Sequence, residues 1–244
     1  MIHVNNLYAL GINSTQKYEI KQHELDTIHY VQNNITDVDV LSRFGINDDY
    51  TFDAFKNFTY NVNNYNFRDN KDYTTENEPN EVWCFGCSFT YGVGVAQEYI
   101  WPSYINKITN KHVKNFGVGG CGPMTVLRLL SNWLELSTHK PRTVYILGYF
   151  PARLEITMSD FRYKCMSVHD MDYNIVNDYE KVYDITNKKI INLLHDNKID
   201  YKIIDPIDIP GMYTNGIGRD YGAAHQAHPG PAYHKIIAEY FIKT

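Results

Sequence analysis

The sequence has 244 residues, of which 43% are hydrophobic and 21% are charged, and its formal net charge is −5. This composition is typical of a globular protein with a substantial core, as one large domain or two small ones. The negative charge gives no electrostatic reason to expect nucleic acid or an anionic membrane as a partner.

The sequence also carries no sign of a membrane or secreted protein. No apolar run approaches the roughly 18–20 residues of a membrane span. The N-terminal segment lacks the basic start and sustained apolar stretch of a signal peptide. The 4 cysteines do not make a disulfide framework. We therefore expect a cytoplasmic protein, although a viral or prophage protein released by lysis would have the same features.

The chain divides near residue 80. Residues 1–80 are polar, rich in Asn and Asp and weakly periodic, and we interpret them as an irregular extension that packs on a main domain. The main domain covers residues 81–244. Its sequence alternates between short apolar runs and amphipathic segments, and we find no internal repeat in the chain.

The main domain has the pattern of a parallel α/β sheet. Short apolar runs predict strands at residues 81–86, 112–117, 143–150 and 201–208. Helical spacing of apolar residues predicts helices at residues 97–109, 123–136, 178–197 and 232–243. Residues 151–176 fit neither pattern and are expected to carry loops over the site. Alternating strands and helices predict a parallel sheet covered on both faces, with a site beyond the carboxyl ends of the strands.

The first strand ends at the stretch CFGCSFTYGVGV, residues 84–95. Ser88 in this stretch is either a nucleophile or an ordinary turn residue. A nucleophilic serine needs a histidine to accept its proton, a third group to orient that histidine, and N–H donors for the oxyanion. Thr90 stands where the second glycine of G-x-S-x-G would be, so the nucleophile-elbow hydrolases are a poor match.

The same stretch contains a C-x-x-C pair, Cys84 and Cys87, which raises the possibility of zinc or redox chemistry. A zinc site needs about four ligands. Because Cys121, Cys165 and the histidines form no second spaced pair, we expect neither a metal nor a cofactor.

Three segments, FGCSFTYGVG, NFGVGGCG and HPGPAYHKIIAEYF, resemble in order the blocks of the SGNH (GDSL-type) hydrolase superfamily. The G-D-S block corresponds to residues 86–88, with Cys87 in the place of Asp. The block N-x-x-x-x-G matches Asn115 to Gly120, and the D-x-x-H-P block matches His228 and the proline that follows it.

An upstream segment, NVNNYNFRDN, resembles the N-x-x-G-F-R arm of some members of this superfamily. Asn66 takes the glycine position, where Asn tolerates a left-handed backbone better than most residues. The resemblance covers residues 60–244. It implies a three-layer α/β/α sandwich with a parallel, flavodoxin-like five-stranded sheet.

The resemblance also implies a serine esterase. Ser88 would attack an ester carbonyl, His228 would act as base and then as acid, and the N–H groups of Ser88 and Gly120 would stabilise the oxyanion. The substrate would be a small-molecule or carbohydrate ester: an O-acetylated sugar, a short acyl ester or a lipid. The aromatic residues of the arm favour carbohydrate deacetylation if they form a stacking surface, although packing is the commoner role of such residues.

Two departures from the family pattern concern the oxyanion hole and the orienting acid. Phe150 stands where the third block supplies an Asn donor, and Arg153 is the candidate substitute. The residue three positions before His228 is His225 instead of Asp. Asp220 is therefore the candidate that orients His228, with the aspartates at residues 205 and 208 as alternatives. His225 and Asn115 are further candidates for substrate binding.

Two other functions remain open at this point. An O-acyltransferase would use the same site, and a catalytically weakened SGNH-fold domain would bind a glycan or partner without turnover. The sequence does not specify the acyl and alcohol parts of a substrate, the role of residues 1–59 or the oligomeric state.

Overall fold

The structure is a computed structural model, which describes residues 57–76, 78, 80–93, 95–148, 153–157, 163–167, 179–209 and 228–244, and the backbone of residues 16–19. Two short 3₁₀ turns, Gln97–Tyr99 and Pro206–Asp208, accompany the regular elements. The elements in chain order are β1 (Gln16–Glu19), β2 (Asn57–Tyr60), β3 (Val82–Gly86), α1 (Ser88–Tyr91), α2 (Trp101–Thr109), β4 (Val113–Gly117), α3 (Pro123–Leu136), β5 (Thr143–Leu147), β6 (Arg153–Thr157), β7 (Tyr163–Ser167), α4 (Tyr179–Asp196), β8 (Asp200–Ile204) and α5 (Pro231–Lys243).

A parallel sheet with strand order β4-β3-β5-β8 forms the centre of the described chain. Strands β3 and β5 are buried along their whole length. Their continuous apolar sequences follow from this burial, because both faces of such strands are covered. The predicted parallel α/β sheet is therefore confirmed. It has 4 strands within the described residues, where the resemblance implies five.

Helices cover both faces of this sheet. Trp83 of β3 contacts Trp133 of α3, with ring centroids 6.3 Å apart. The next residue, Cys84, points to the opposite face because side chains alternate along a strand. Its register partner Tyr145 packs on Phe241 of α5, at 5.0 Å between ring centroids. Since α4 packs on α3 and α2 packs on α5, the domain has the three layers that were expected.

Prolines set several element boundaries. Helix α3 has the predicted bounds and begins at Pro123, while α2 begins only at Trp101, with Pro102 in its first turn. Strand β8 ends at Ile204, earlier than predicted, because Pro206 begins a 3₁₀ turn. Proline lacks the N–H that a continuing strand or helix interior would use, so each boundary has the same physical cause.

The segment expected to carry only loops contains an antiparallel hairpin, β6–β7, in which Arg153 pairs with Ser167. The sequence expectation for residues 151–176 was therefore incomplete. A second antiparallel pair, β1–β2, lies outside the main sheet. Among the helices that the structure describes, none is long and apolar enough to cross a membrane.

Residues 60–76 pack against the main sheet. Phe67 and Tyr73 belong to the same hydrophobic core as the sheet residues. The Tyr73 hydroxyl accepts a hydrogen bond from the Asn115 N–H at 2.6 Å and donates to Asp69 Oδ2 at 2.7 Å. It thereby pairs one backbone N–H on the edge of β4 that no described strand covers. Asn66 has φ = 63°, so its backbone is left-handed, as the resemblance implies.

Candidate active site

Ser88 is the first residue of the one-turn helix α1, just beyond the carboxyl end of β3. The N–H groups of Thr90 and Tyr91 donate to the Cys87 carbonyl at 3.0 and 2.9 Å, and the Gly92 N–H donates to the Ser88 carbonyl at 2.8 Å. Ser88 is half-buried. The N–H groups of a helix's first turn have no acceptor within the helix. The Ser88 N–H is therefore a donor that helix α1 does not itself satisfy.

Gly86 and Thr90 fit together at the end of β3. Gly86 has φ = 153°, and a Cβ atom there would lie 2.1 Å from Thr90 Oγ1 and 2.8 Å from the Leu147 carbonyl oxygen. The Thr90 hydroxyl donates to the Phe85 carbonyl at 3.4 Å and accepts from the Trp101 indole N–H at 3.3 Å. The Thr90 side chain thus holds α1 against β3 and α2.

The glycine turn after β4 lies beside α1. A Cβ atom on Gly117 would lie 2.3 Å from the Tyr91 backbone nitrogen, so only glycine permits this approach. Gly120 is left-handed, with φ = 72°. Among the described residues, no atom lies within 4 Å of a Cβ atom built on Gly119 or Gly120. The turn is therefore close to the Ser88 helix on one side.

Asn115 lies within β4 and has only 2% of its surface exposed. Its Oδ1 atom accepts a hydrogen bond from the Gly117 N–H at 2.9 Å. The side chain therefore holds the backbone that leads into the glycine turn. Within the described residues, this contact gives Asn115 a role in shaping the turn, while its predicted part in substrate binding stays a prediction.

The β6–β7 hairpin begins against this turn. A Cβ atom on Gly122 would lie 2.2 Å from the Arg153 carbonyl oxygen. Two residues further along β6, a buried ion pair ties the strand to α3. Arg128 donates to Glu155 from Nε at 2.7 Å and from Nη2 at 3.0 Å, and these side chains are 9% and 6% exposed. Arg153 shares the α3-facing side of β6 with Glu155, because both point the same way along the strand.

His228 lies beside the helix that carries Ser88. Its ring packs edge-on against the ring of Phe89, with centroids 5.6 Å apart and an interplanar angle of 77°. The structure therefore places His228 in ring contact with the residue that follows Ser88. Asp220, His225 and Phe150 lie outside the described residues.

The two alternative aspartates, Asp205 and Asp208, lie at the carboxyl end of β8. Asp205 Oδ1 accepts the Ile207 N–H at 3.0 Å and so caps the 3₁₀ turn that follows the strand. This is a local structural use of the carboxylate, and the residue that orients His228 stays a prediction.

Sequence reasoning missed His234, which lies in the first turn of α5 and is fully buried. Its Nδ1 atom accepts the Trp101 N–H at 3.2 Å, which joins the start of α5 to the start of α2. Burial lowers the pKa of His234 to about 3, so its imidazole is neutral at physiological pH. The sequence signal was a second histidine six residues after His228, on the apolar face of the closing helix.

The cysteines are packing residues. Cys84 and Cys87 are buried, and burial raises the pKa of both thiols, so they are protonated at neutral pH. Cys121 Sγ donates to the Gly86 carbonyl at 3.3 Å, and Cys165 Sγ lies 3.1 Å from the hydroxyl of a threonine in α3. The part of the chain that the structure describes contains no group of three or more His, Cys, Asp or Glu residues that could hold a metal ion.

Comparison with known proteins gave matches at the level of structure. No protein-family model matches the sequence, and no curated protein matches it. The chain is similar to a member of the lipolytic protein G-D-S-L family from Veillonella parvula, at 18% identity over 67% of this chain and 99% of that chain, with a TM-score of 0.38.

Two further solved structures are similar to the same extent. A putative lipolytic protein of the G-D-S-L family from Desulfitobacterium hafniense has 16% identity over 66% of this chain and 97% of its own, with a TM-score of 0.37. The psychrotrophic esterase EstA from Pseudoalteromonas sp. has 16% identity over 68% of this chain and 97% of its own, with a TM-score of 0.37.

Proposed function

We propose that the protein is a serine esterase that hydrolyses a carboxylic ester at Ser88. In this proposal His228 is the general base and then the general acid. The N–H groups of Ser88 and Gly120 form the oxyanion hole, and Asp220 orients His228. Arg153, the first residue of the β6–β7 hairpin, and His225 contribute to substrate binding. No metal or cofactor takes part.

The proposed reaction has two stages, acylation of Ser88 and hydrolysis of the acyl-enzyme. Ser88 Oγ attacks the ester carbonyl carbon while His228 accepts the hydroxyl proton, and the carbonyl oxygen becomes an oxyanion. Collapse of this intermediate breaks the ester bond, and His228 returns the proton to the leaving alcohol. Water then attacks the carbonyl carbon of the acyl-enzyme while His228 accepts one of its protons. The bond between Ser88 Oγ and the acyl group breaks, His228 returns the proton to Ser88 Oγ, and the acid is released. Losing one oxyanion donor typically lowers the rate by about 10²–10³-fold.

The observation that carries the proposal is the contact of the His228 ring with Phe89, the residue after Ser88. Ser88 and His228 come from opposite ends of the main domain, 140 positions apart in the numbering, and the contact of His228 with Phe89 supports their pairing. At the neighbouring turn, no atom of the described residues lies within 4 Å of a Cβ atom built on Gly120.

The aromatic residues of the N-terminal arm do not favour a carbohydrate substrate over other esters. Tyr60 and Tyr73 are buried, and Tyr65 packs edge-on against Trp133 with ring centroids 5.1 Å apart. These rings are therefore used in packing. The proposal consequently stops at ester hydrolysis, and a panel of short p-nitrophenyl esters and acetylated glycans is the assay that selects among substrates.

A fluorophosphonate probe tests the proposal, because it reacts with activated serines. We expect the wild-type protein to be labelled and Ser88→Ala to be unlabelled. Ser103→Ala is the matched control, since Ser103 is also half-buried and its hydroxyl only donates to the Gln97 carbonyl at 2.6 Å. A folded wild-type protein that is not labelled would instead support the binding domain without turnover.

A further inference from the structure

Arg68 is a fully buried cation in the N-terminal arm, and its guanidinium contacts the chain just after the Ser88 helix. Nη1 donates to the Tyr91 carbonyl at 3.0 Å and also to the Gly92 carbonyl, while Nη2 donates to the Val95 carbonyl. One side chain therefore holds three carbonyl groups that follow the candidate nucleophile within seven residues.

The Ser88 helix needs such support from outside. Helix α1 has 4 residues. An isolated helix of one turn is unstable, because ordering its backbone costs more free energy than its few hydrogen bonds provide. Its last carbonyl groups have no partner within the helix. Arg68 supplies donors at this end, and its positive charge lies where the helix dipole favours a cation. The contacts thus fix the end of the turn that begins at Ser88.

The residues around Arg68 stabilise its positive charge although the side chain is buried. Its guanidinium carbon lies 4.4 Å from the ring centroid of Tyr60 and 5.6 Å from that of Tyr91, so two aromatic faces meet the charge. Burial lowers the pKa of Arg68 to about 10, which leaves the side chain protonated at neutral pH. A lysine has no planar fork and would not reach all three carbonyls.

We propose that Arg68 is a positioning residue for the candidate nucleophile, acting through the Tyr91, Gly92 and Val95 carbonyls on the orientation of Ser88. This inference rests on the proposed function, which it deepens: the N-terminal arm is part of the active-site structure. The arm segment that carries Arg68 lies 20 residues before Ser88 in the sequence and reaches the turn from outside the sheet.

The test uses the full chain with Arg68→Lys, Arg68→Met and Arg68→Ala. The matched control is Lys114→Met, because Lys114 is also a buried cation over two aromatic rings, those of Tyr73 and Trp133, at 5.6 and 5.4 Å. Two quantities are measured for each protein: the rate of fluorophosphonate labelling, and the hydrogen–deuterium exchange of the amides of residues 90–93. The exchange measurement needs no enzymatic activity.

We expect Arg68→Met to lower the labelling rate by about 10²-fold, the usual effect of displacing a reacting group by about 1 Å. Arg68→Lys should lower it by about 10-fold, because one of the carbonyl contacts can persist. Exchange at residues 90–93 should rise in both variants and stay at the wild-type level in Lys114→Met. Methylguanidinium, but not methylammonium, should restore labelling of Arg68→Ala.

Unchanged exchange at residues 90–93 in the Arg68 variants would overturn the positioning role, whatever the labelling shows. Equal labelling rates in Arg68→Met and Lys114→Met would also overturn it. If the folded wild-type protein is not labelled but exchange rises in the Arg68 variants, the proposed esterase function fails and the structural role of Arg68 stands. Failure of the esterase proposal and failure of the positioning role are therefore distinguishable. If Arg68→Met does not fold, the same two measurements on Arg68→Lys test the positioning role.

Discussion

Replacing Glu155 with Leu should destabilise the protein by leaving the Arg128 guanidinium buried without its carboxylate. The pair is bidentate, at 2.7 and 3.0 Å, and its side chains are 9% and 6% exposed. Breaking a buried pair on one side costs about 3–5 kcal/mol. We expect the lower end, about 3 kcal/mol, because the remaining exposure lets the guanidinium recover some hydration. Replacing both residues, as Arg128→Met with Glu155→Leu, should cost less than the single change.

Urea unfolding of the two single variants, the double variant and the wild type measures the coupling between Arg128 and Glu155. The control is Glu239→Gln, since the ion pair of Glu239 with Lys243 is 39% and 73% exposed and should contribute only about 0.5 kcal/mol. If the effects of the two single variants add up in the double variant, no buried coupling exists and the reasoning is refuted. Faster exchange confined to residues 153–157 would locate the loss in the hairpin.

Two smaller predictions concern the glycine turn and a buried charge cluster. Gly117→Ala should abolish fluorophosphonate labelling and lower stability by about 1–3 kcal/mol, because its Cβ would lie 2.3 Å from the Tyr91 nitrogen. Gly119→Ala should change neither, because a Cβ atom there has no atom of the described residues within 4 Å, and equal behaviour of the two variants would contradict this. The hydrogen bond to Glu81 raises the pKa of His112, so its stabilising contribution is complete below the unfolded pKa of about 6.5 and is lost as the pH rises through the folded pKa. The difference in unfolding free energy between wild type and His112→Gln should therefore shrink above about pH 6.5, and a difference that grows with pH would exclude it.

The sheet and its covering helices could be predicted from the sequence because their signals are local. Strand β5 is an unbroken apolar run with both faces buried, and α3 begins at its proline and repeats its apolar residues at helical spacing. The order of the blocks also indicated that Ser88, Gly120 and His228 lie at the same end of the sheet. These features depend on neighbours a few residues apart, which a single sequence displays.

The β6–β7 hairpin could not be predicted in the same way. Each strand has 5 residues, and β6 carries Arg153 and Glu155 on the face that packs on α3. A charged residue at a packed position breaks the apolar alternation that marks a strand. Glu155 is buried only because its partner Arg128 lies 27 residues earlier, on another element. The decisive contact is tertiary, so the local pattern indicated loops.

The contacts of Arg68 near the candidate site could not be predicted from the sequence either. The sequence marks the pair Phe67-Arg68 as part of an arm motif, but the carbonyls that the guanidinium holds lie 23 to 27 residues later. Backbone carbonyls carry no sequence signature, because every residue has one. The role of a residue that recognises them is visible only once the turn after Ser88 has its shape.

The N-terminal arm contacts the main domain in two places near the candidate site, one in strand β4 and one in the chain at the end of α1. Tyr73 satisfies the outer edge of β4 at Asn115, the residue whose side chain in turn holds the Gly117 N–H at 2.9 Å. Arg68 holds the chain that follows α1. Because Gly117 and the Tyr91 backbone are in close approach, both contacts lie near the same junction. The packing around the candidate site therefore includes residues on both sides of position 80, so the change in composition there does not coincide with a break in this packing.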